Sequence, residues 1–182
     1  RAAGMWQDTV VLYTSDHGEM LGDHNLFRKT WPLEPSANIP FIVHLPDWLE
    51  PQRGAHIDQV VGLQDVMPTL LDAAGVPIPD SVDGRSLLPL LRGESPAWRP
   101  YLHGEHLSRT DSRFSRYAPG HQYLTDGFEK YIWYPTDGSE HFFDLVEDPQ
   151  ELHNAAHDSD AQDRVVRWRE RLISELRDRP EG

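Results

Sequence analysis

The sequence predicts an α/β chain: strands and helices of a larger mixed sheet come first, then a small antiparallel sheet closed by one long helix. Three observations predict it. A continuous β-prone run, Thr9-Val10-Val11-Leu12-Tyr13, leads straight into the polar stretch Thr14-Ser15-Asp16-His17-Gly18. Apolar residues recur at spacings of three and four through residues 63–74. Short β-prone pieces separated by Asp-Gly turns precede an amphipathic segment at residues 161–177.

The first run, residues 8–15, is continuous rather than alternating, which predicts a strand buried on both faces, as in a parallel sheet. A second apolar run, residues 39–45, stops at Pro46, and Pro40 near its start suits a strand beginning or an edge. In residues 63–74, Leu63, Val66, Met67, Leu70, Leu71 and Ala74 form the predicted inner stripe of an amphipathic helix. Gly75 is its stop, with Pro77 beyond. A short helix is expected over residues 86–91. The β-prone pieces 101–107, 122–125, 130–134 and 141–145 are joined by Asp126-Gly127 and Thr136-Asp137-Gly138, turns suited to hairpins. In the last segment Val165, Trp168, Leu172 and Leu176 share one stripe, with Arg164, Arg167, Arg171 and Glu175 outside it on a solvated face of mixed charge. The organisation expected is a core portion at 1–97 and an antiparallel subdomain with its helix at 98–182.

At 182 residues the chain suffices for one ordinary domain or a piece of a larger one. No apolar run approaches the roughly eighteen residues that a membrane span needs, and residues 1–7 show no secretory signal pattern. A net charge of -13 argues against nucleic acid as a partner. An anionic ester remains possible, provided that a metal or a few Lys and Arg focus positive charge locally. The absence of cysteine excludes disulfides, thiolate ligands and a cysteine nucleophile within these residues.

The chemistry concentrates after the first strand. In open α/β sheets ligands collect at the carboxyl ends of strands, where Asp16 and His17 fall. A carboxylate and an imidazole side by side can both face a cation. Gly18 permits a sharp backbone turn without a Cβ clash. Lys29 follows twelve residues after His17, preceded by Gly22-Asp23-His24. An isolated Asp-His-Gly more often caps a turn, so these residues gain weight only from their context. His103-Gly104-Glu105-His106 invites a zinc reading, but on a strand the two histidines point to opposite faces, which disfavours a shared metal.

That context is a resemblance. The stretch Thr14-Ser15-Asp16-His17-Gly18-Glu19-Met20-Leu21-Gly22-Asp23-His24-Asn25-Leu26-Phe27-Arg28-Lys29 resembles the second sulfatase signature. The likeness continues through Ile39-Pro40-Phe41-Ile42-Val43, residues 65–75, Asp83-Gly84-Arg85-Ser86-Leu87-Leu88-Pro89, Lys130-Tyr131-Ile132-Trp133-Tyr134 and residues 143–151. The resemblance implies the C-terminal part of a sulfatase, an alkaline-phosphatase-like α/β hydrolase. Asp16 and His17 would be ligands of a divalent metal, calcium by preference, with manganese, iron or zinc as alternatives. Lys29 would contact the sulfate or bridging oxygen of a small-molecule or carbohydrate sulfate ester, and His24 would support the site.

The family's nucleophile is a formylglycine made from Cys or Ser in a Cys-x-Pro-x-Arg motif. Neither version occurs here; Ser95-Pro96-Ala97-Trp98-Arg99 has its proline misplaced. The 182 residues are therefore expected to be inactive alone and to belong to a longer enzyme. Two other readings stand beside this one: phosphonate monoester or phosphodiester hydrolysis within the same superfamily, and a non-catalytic binding module that keeps the fold.

Overall fold

The computed structural model describes residues 4–107 and 119–177. The chain divides into two compact units, Arg1–Asp16 with Ile39–Arg99, and His17–Asn38 with Pro100–Gly182. By its contacts the stretch after Asp16 thus groups with the C-terminal sheet, where the linear division of the sequence put it with the core portion.

In the first unit β1 (Val11–Thr14) pairs with β2 (Phe41–His44) in antiparallel register, Leu12 opposite Val43 and Tyr13 opposite Ile42. The pairing among the described residues is thus antiparallel, where a parallel neighbour was expected, and these residues cover one face of the strand. Tyr13 and Ile42 are each 62% exposed, and only the opposite side of the pair contributes to a core, through Val43 and the preceding Val10. That core comprises Leu45, Leu49, Ala73 and Leu88. A continuous apolar run shows that both faces carry apolar side chains; it does not supply the layers that cover them.

A 3-10 turn, Leu63–Asp65, runs into α2 (Val66–Ala73), and Gly75 beyond it adopts a φ of 67°, the left-handed stop expected. The buried face differs from the predicted stripe. Leu63, Met67 and Leu70 are more than 40% exposed, while Pro68, Thr69 and Ala73 are buried. Thr69 can lie inside because its hydroxyl donates to the Asp65 carbonyl at 2.6 Å and accepts the Leu87 N–H at 2.9 Å. Pro68 falls in the first turn, where an N–H has no helical partner, so its missing donor costs nothing. The short helix α3 (Leu88–Leu91) forms where expected and buries Leu88 and Leu90.

Beneath this helix pair lies a buried ion pair that the sequence reading did not anticipate. The Asp65 side chain is fully buried and accepts both guanidinium nitrogens of Arg99, at 2.5 and 2.6 Å, and the N–H groups of Gly62 and Arg85, each at 2.9 Å. Burial acts to raise the Asp65 pKa, but these donors outweigh it and hold the carboxyl below its ordinary value.

In the second unit β3 (Leu102–His106), β4 (His121–Thr125), β5 (Glu129–Tyr134) and β6 (Ser139–Asp144) form an antiparallel meander in chain order. The hairpin glycines Gly127 and Gly138 have φ of 90° and 74°, a region that side-chain-bearing residues rarely enter. Strand alternation sends Leu124, Tyr131 and Phe142 to one face, where Val165, Trp168 and Leu172 of the long helix α4 (Gln162–Arg177) cover them. Ile132, Tyr134 and Phe143 point the other way and are covered by Met20 and Leu33. The sheet is thus enclosed from both sides within its own unit. The predicted solvated face of α4 is partly tied to the sheet, with Arg164 pairing with Glu129 and Asp144, and Arg169 with Glu140. Among the described residues no helix is long and apolar enough to cross a membrane.

Candidate functional site

The stretch 17–38 is a closed loop held by its own backbone. At its base the N–H of Gly18 donates to the Ser36 carbonyl and that of Glu19 to the Pro35 carbonyl, both at 2.9 Å. A Cβ on Gly18 would sit 2.0 Å from the Pro35 oxygen, so the glycine is required by this close approach rather than by a sharp turn. Further out, Met20 donates to Arg28 at 3.2 Å and Gly22 to Leu26 at 2.8 Å, and the Glu19 carboxylate accepts the Arg28 N–H. Met20 is fully buried and anchors the loop to the sheet. Leu21, His24, Asn25, Arg28 and Thr30 all have positive φ between 50° and 80°. Such strain persists only where surrounding contacts over-determine it, and it clusters at ligand-handling loops.

The loop carries three of the four predicted site residues. His17 is half-buried and its Nδ1 lies 2.6 Å from the Gly18 carbonyl. A carbonyl only accepts, so Nδ1 is the donor in this contact. His24 is also half-buried, and its Nε2 donates to the Gln150 carbonyl at 3.0 Å, which fastens the loop to the turn after β6. Lys29 is exposed on the loop's returning side. Asp16, the residue before the loop, is exposed and belongs to the first unit. Among the described residues no three His, Asp or Glu side chains gather in a way that could hold a metal ion by themselves.

Behind the loop sits a cluster that sequence reading missed. Lys130, just before the apolar run of β5, is fully buried, and its Nζ donates to Glu34 at 2.6 Å and to Glu151 at 2.8 Å. Glu34 opens the one-turn helix α1 (Glu34–Ala37) at the end of the loop. Its backbone N–H donates to the second oxygen of Glu151 at 2.6 Å. Burial raises the Glu151 pKa despite the ammonium beside it. The signal available in sequence was a lysine in two-residue alternation with Ile132 and Tyr134.

The histidines of residues 103–106 lie on β3, and alternation sends them to opposite faces. The His103 ring bonds to Gln122 at 2.6 Å, whereas His106 lies beside His121, ring centres 5.6 Å apart. Burial drives the His121 pKa down to about 4, so that ring is neutral at ordinary pH.

The fold that carries this loop is the alkaline-phosphatase-like fold of sulfatases. The protein BT4656, solved in complex with its substrate D-glucosamine-2-N,6-O-disulfate, superposes with a TM-score of 0.86 at 25% identity over 97% of this chain and 35% of its own. The phosphonate monoester hydrolase of Silicibacter pomeroyi matches with a TM-score of 0.80 at 29% identity over 98% of this chain and 37% of its own. The family described as N-sulphoglucosamine sulphohydrolase, C-terminal, matches residues 22–178, and the chain belongs to it. An arylsulfatase of Clostridium perfringens is 42% identical over 98% of this chain and 36% of its own length. The chain spans about a third of the relatives it matches.

Proposed function

We propose that the chain is part of a metal-dependent sulfatase whose substrate is a small-molecule or carbohydrate sulfate ester. The observation that carries this reading is the signature loop itself, folded back on its own base with the His17 ring fixed against the Gly18 carbonyl. The sugar disulfate seen with BT4656 supports the carbohydrate class.

In this reading Asp16 and His17 hold a divalent cation, calcium first, which the carboxylate fits, with manganese or another divalent ion, which the imidazole also suits, as alternatives. When bound, the cation supplies positive charge against the ester's anionic oxygens. Two ligands are fewer than such a cation takes, so the remaining donors come from outside these residues, as does the formylglycine nucleophile. Lys29 donates to the sulfate or bridging oxygen and stabilises charge on the leaving group. Its ammonium also counters the repulsion that a net charge of -13 imposes on an anionic substrate. His24 supports the site by keeping the loop on the sheet.

In the active full-length protein, Asp16→Ala is expected to lose bound metal and turnover together; metal analysis showing full occupancy contradicts the ligand assignment. Lys29→Ala is expected to lower kcat by roughly 10²–10³ with metal retained. Near-normal hydrolysis would make this lysine a surface charge. Hydrolysis of phosphonate monoesters is the second reading, favoured by the likeness to the Silicibacter enzyme. Parallel turnover of an aryl sulfate and an aryl phosphonate monoester separates them, and a strong phosphonate preference overturns the first.

A further inference from the structure

We propose that Lys130, acting through Glu34 and Glu151, is a positioning residue that sets the place of Lys29. The inference rests on the reading above, in which Lys29 serves the ester.

Lys29 lies between two tethers that converge on one turn. Five residues before it, His24 donates to the Gln150 carbonyl at 3.0 Å. Five residues after it, Glu34 is held twice, its carboxylate by Lys130 at 2.6 Å and its N–H by Glu151 at 2.6 Å. Gln150 and Glu151 are neighbours, and Glu151 holds a positive φ of 55°. The third corner is Lys130, whose backbone is locked into the centre of the sheet by pairing with both β4 and β6. The exposed lysine is therefore referred to a rigid frame through a buried one.

Stability alone does not account for this arrangement. Burying a lysine and a glutamate carries a large desolvation cost, and apolar residues of similar volume usually do as well or better. The surroundings are apolar, with Met20, Leu33, Ile132 and Phe143 in the core on the same side of the sheet. Charges kept in such a place fix a geometry: the ammonium requires two carboxylate oxygens at hydrogen-bond distance, whereas an apolar contact tolerates sliding.

The test uses the active full-length protein carrying the paired substitution Lys130→Met with Glu151→Gln. Gln keeps an acceptor for the Glu34 N–H and a donor for its carboxylate, while Met replaces the ammonium with an uncharged chain. Expected are retained metal, unchanged amide exchange in β4 and α4, at least tenfold faster exchange at residues 20–30, and kcat lowered about tenfold. Lys130→Arg, which retains the charge, is expected to recover part of the loss. If the paired variant does not fold, Glu34→Gln takes its place, since Glu34 is the partly exposed corner of the cluster. In a double-mutant cycle the cluster substitution should cost nothing further once Lys29 is Ala. Additive losses, or unchanged kcat with unchanged loop exchange, overturn the positioning role. Normal turnover by Lys29→Ala alone instead overturns the reading on which it rests.

Discussion

The four-stranded sheet buries Tyr131, Ile132, Phe142 and Phe143 to 3% exposure or less, whereas the two-stranded sheet leaves the cross-strand pair Tyr13 and Ile42 at 62%. Both sheets are antiparallel, and both are made of β-prone, apolar-rich runs. They differ in what covers them. In the second unit α4 covers one face and the loop residues Met20 and Leu33 the other, so every strand position has a destination. In the first unit only one side of the strand pair faces a core. Apolar patterning therefore states which side chains demand cover, and the layers of the particular chain decide which of them receive it.

The comparison breaks most sharply at Trp168, which is fully buried, donates Nε1–H to Glu129 and lies under the Arg171 guanidinium at 4.6 Å. Trp168→Ala should cost the second unit about 3–5 kcal/mol, through lost burial and the cavity left behind. Amide exchange should accelerate across β4, β5 and β6 while β1 and β2 keep their protection. Equal acceleration in both sheets would show that they unfold as one body.

A somewhat smaller loss tests the first unit. Asp65→Asn leaves the Arg99 guanidinium, only 11% exposed, without its counter-charge, for a cost of about 3 kcal/mol near neutral pH. Because the folded carboxyl titrates below its ordinary value, its contribution is fully present above the unfolded value near 3.8. It is lost as pH falls through the lower folded value. The stability difference between wild type and variant should accordingly be flat from pH 5 to 7 and close at acid pH. A difference that persists in acid would mean that Asp65 acts by shape rather than charge.

Much of the fold was legible because period and punctuation are local. The four short β-prone pieces, their Asp-Gly turns and the stripe Val165, Trp168, Leu172 became β3 to β6 and α4 within a few residues of the predicted bounds. Gly75 ended α2 as expected. What failed depended on partners distant in sequence. Spacing made Met67 and Leu70 core residues, whereas Thr69 went inside because Leu87, eighteen residues later, supplies its donor. The role of Lys130 was not legible because its partners stand 96 and 21 residues away. Of the candidate site, the loop and its residues were visible in the motif, but the His17 ring contact and the His24 tether needed the carbonyls of Gly18 and Gln150 to be placed.

The smallest expected effect sharpens the contrast from the other side. Tyr13 is a large aromatic opposite Ile42 on the face of β1 that the first unit's core does not cover. Removing its ring forfeits little burial, so Tyr13→Ser in these 182 residues should shift stability by no more than about 0.5 kcal/mol, as exposed substitutions do. Ile132→Ser, at 0% exposure in the other sheet, should lose several times that by the same denaturant titration. If Tyr13→Ser costs as much as Ile132→Ser, the outer face of the strand pair is buried in solution and the difference between the two sheets disappears. If the two costs separate as expected, a face rich in apolar area without local cover is where a further layer would gain most, since each fully buried side chain of this size is worth about 1.5–3 kcal/mol.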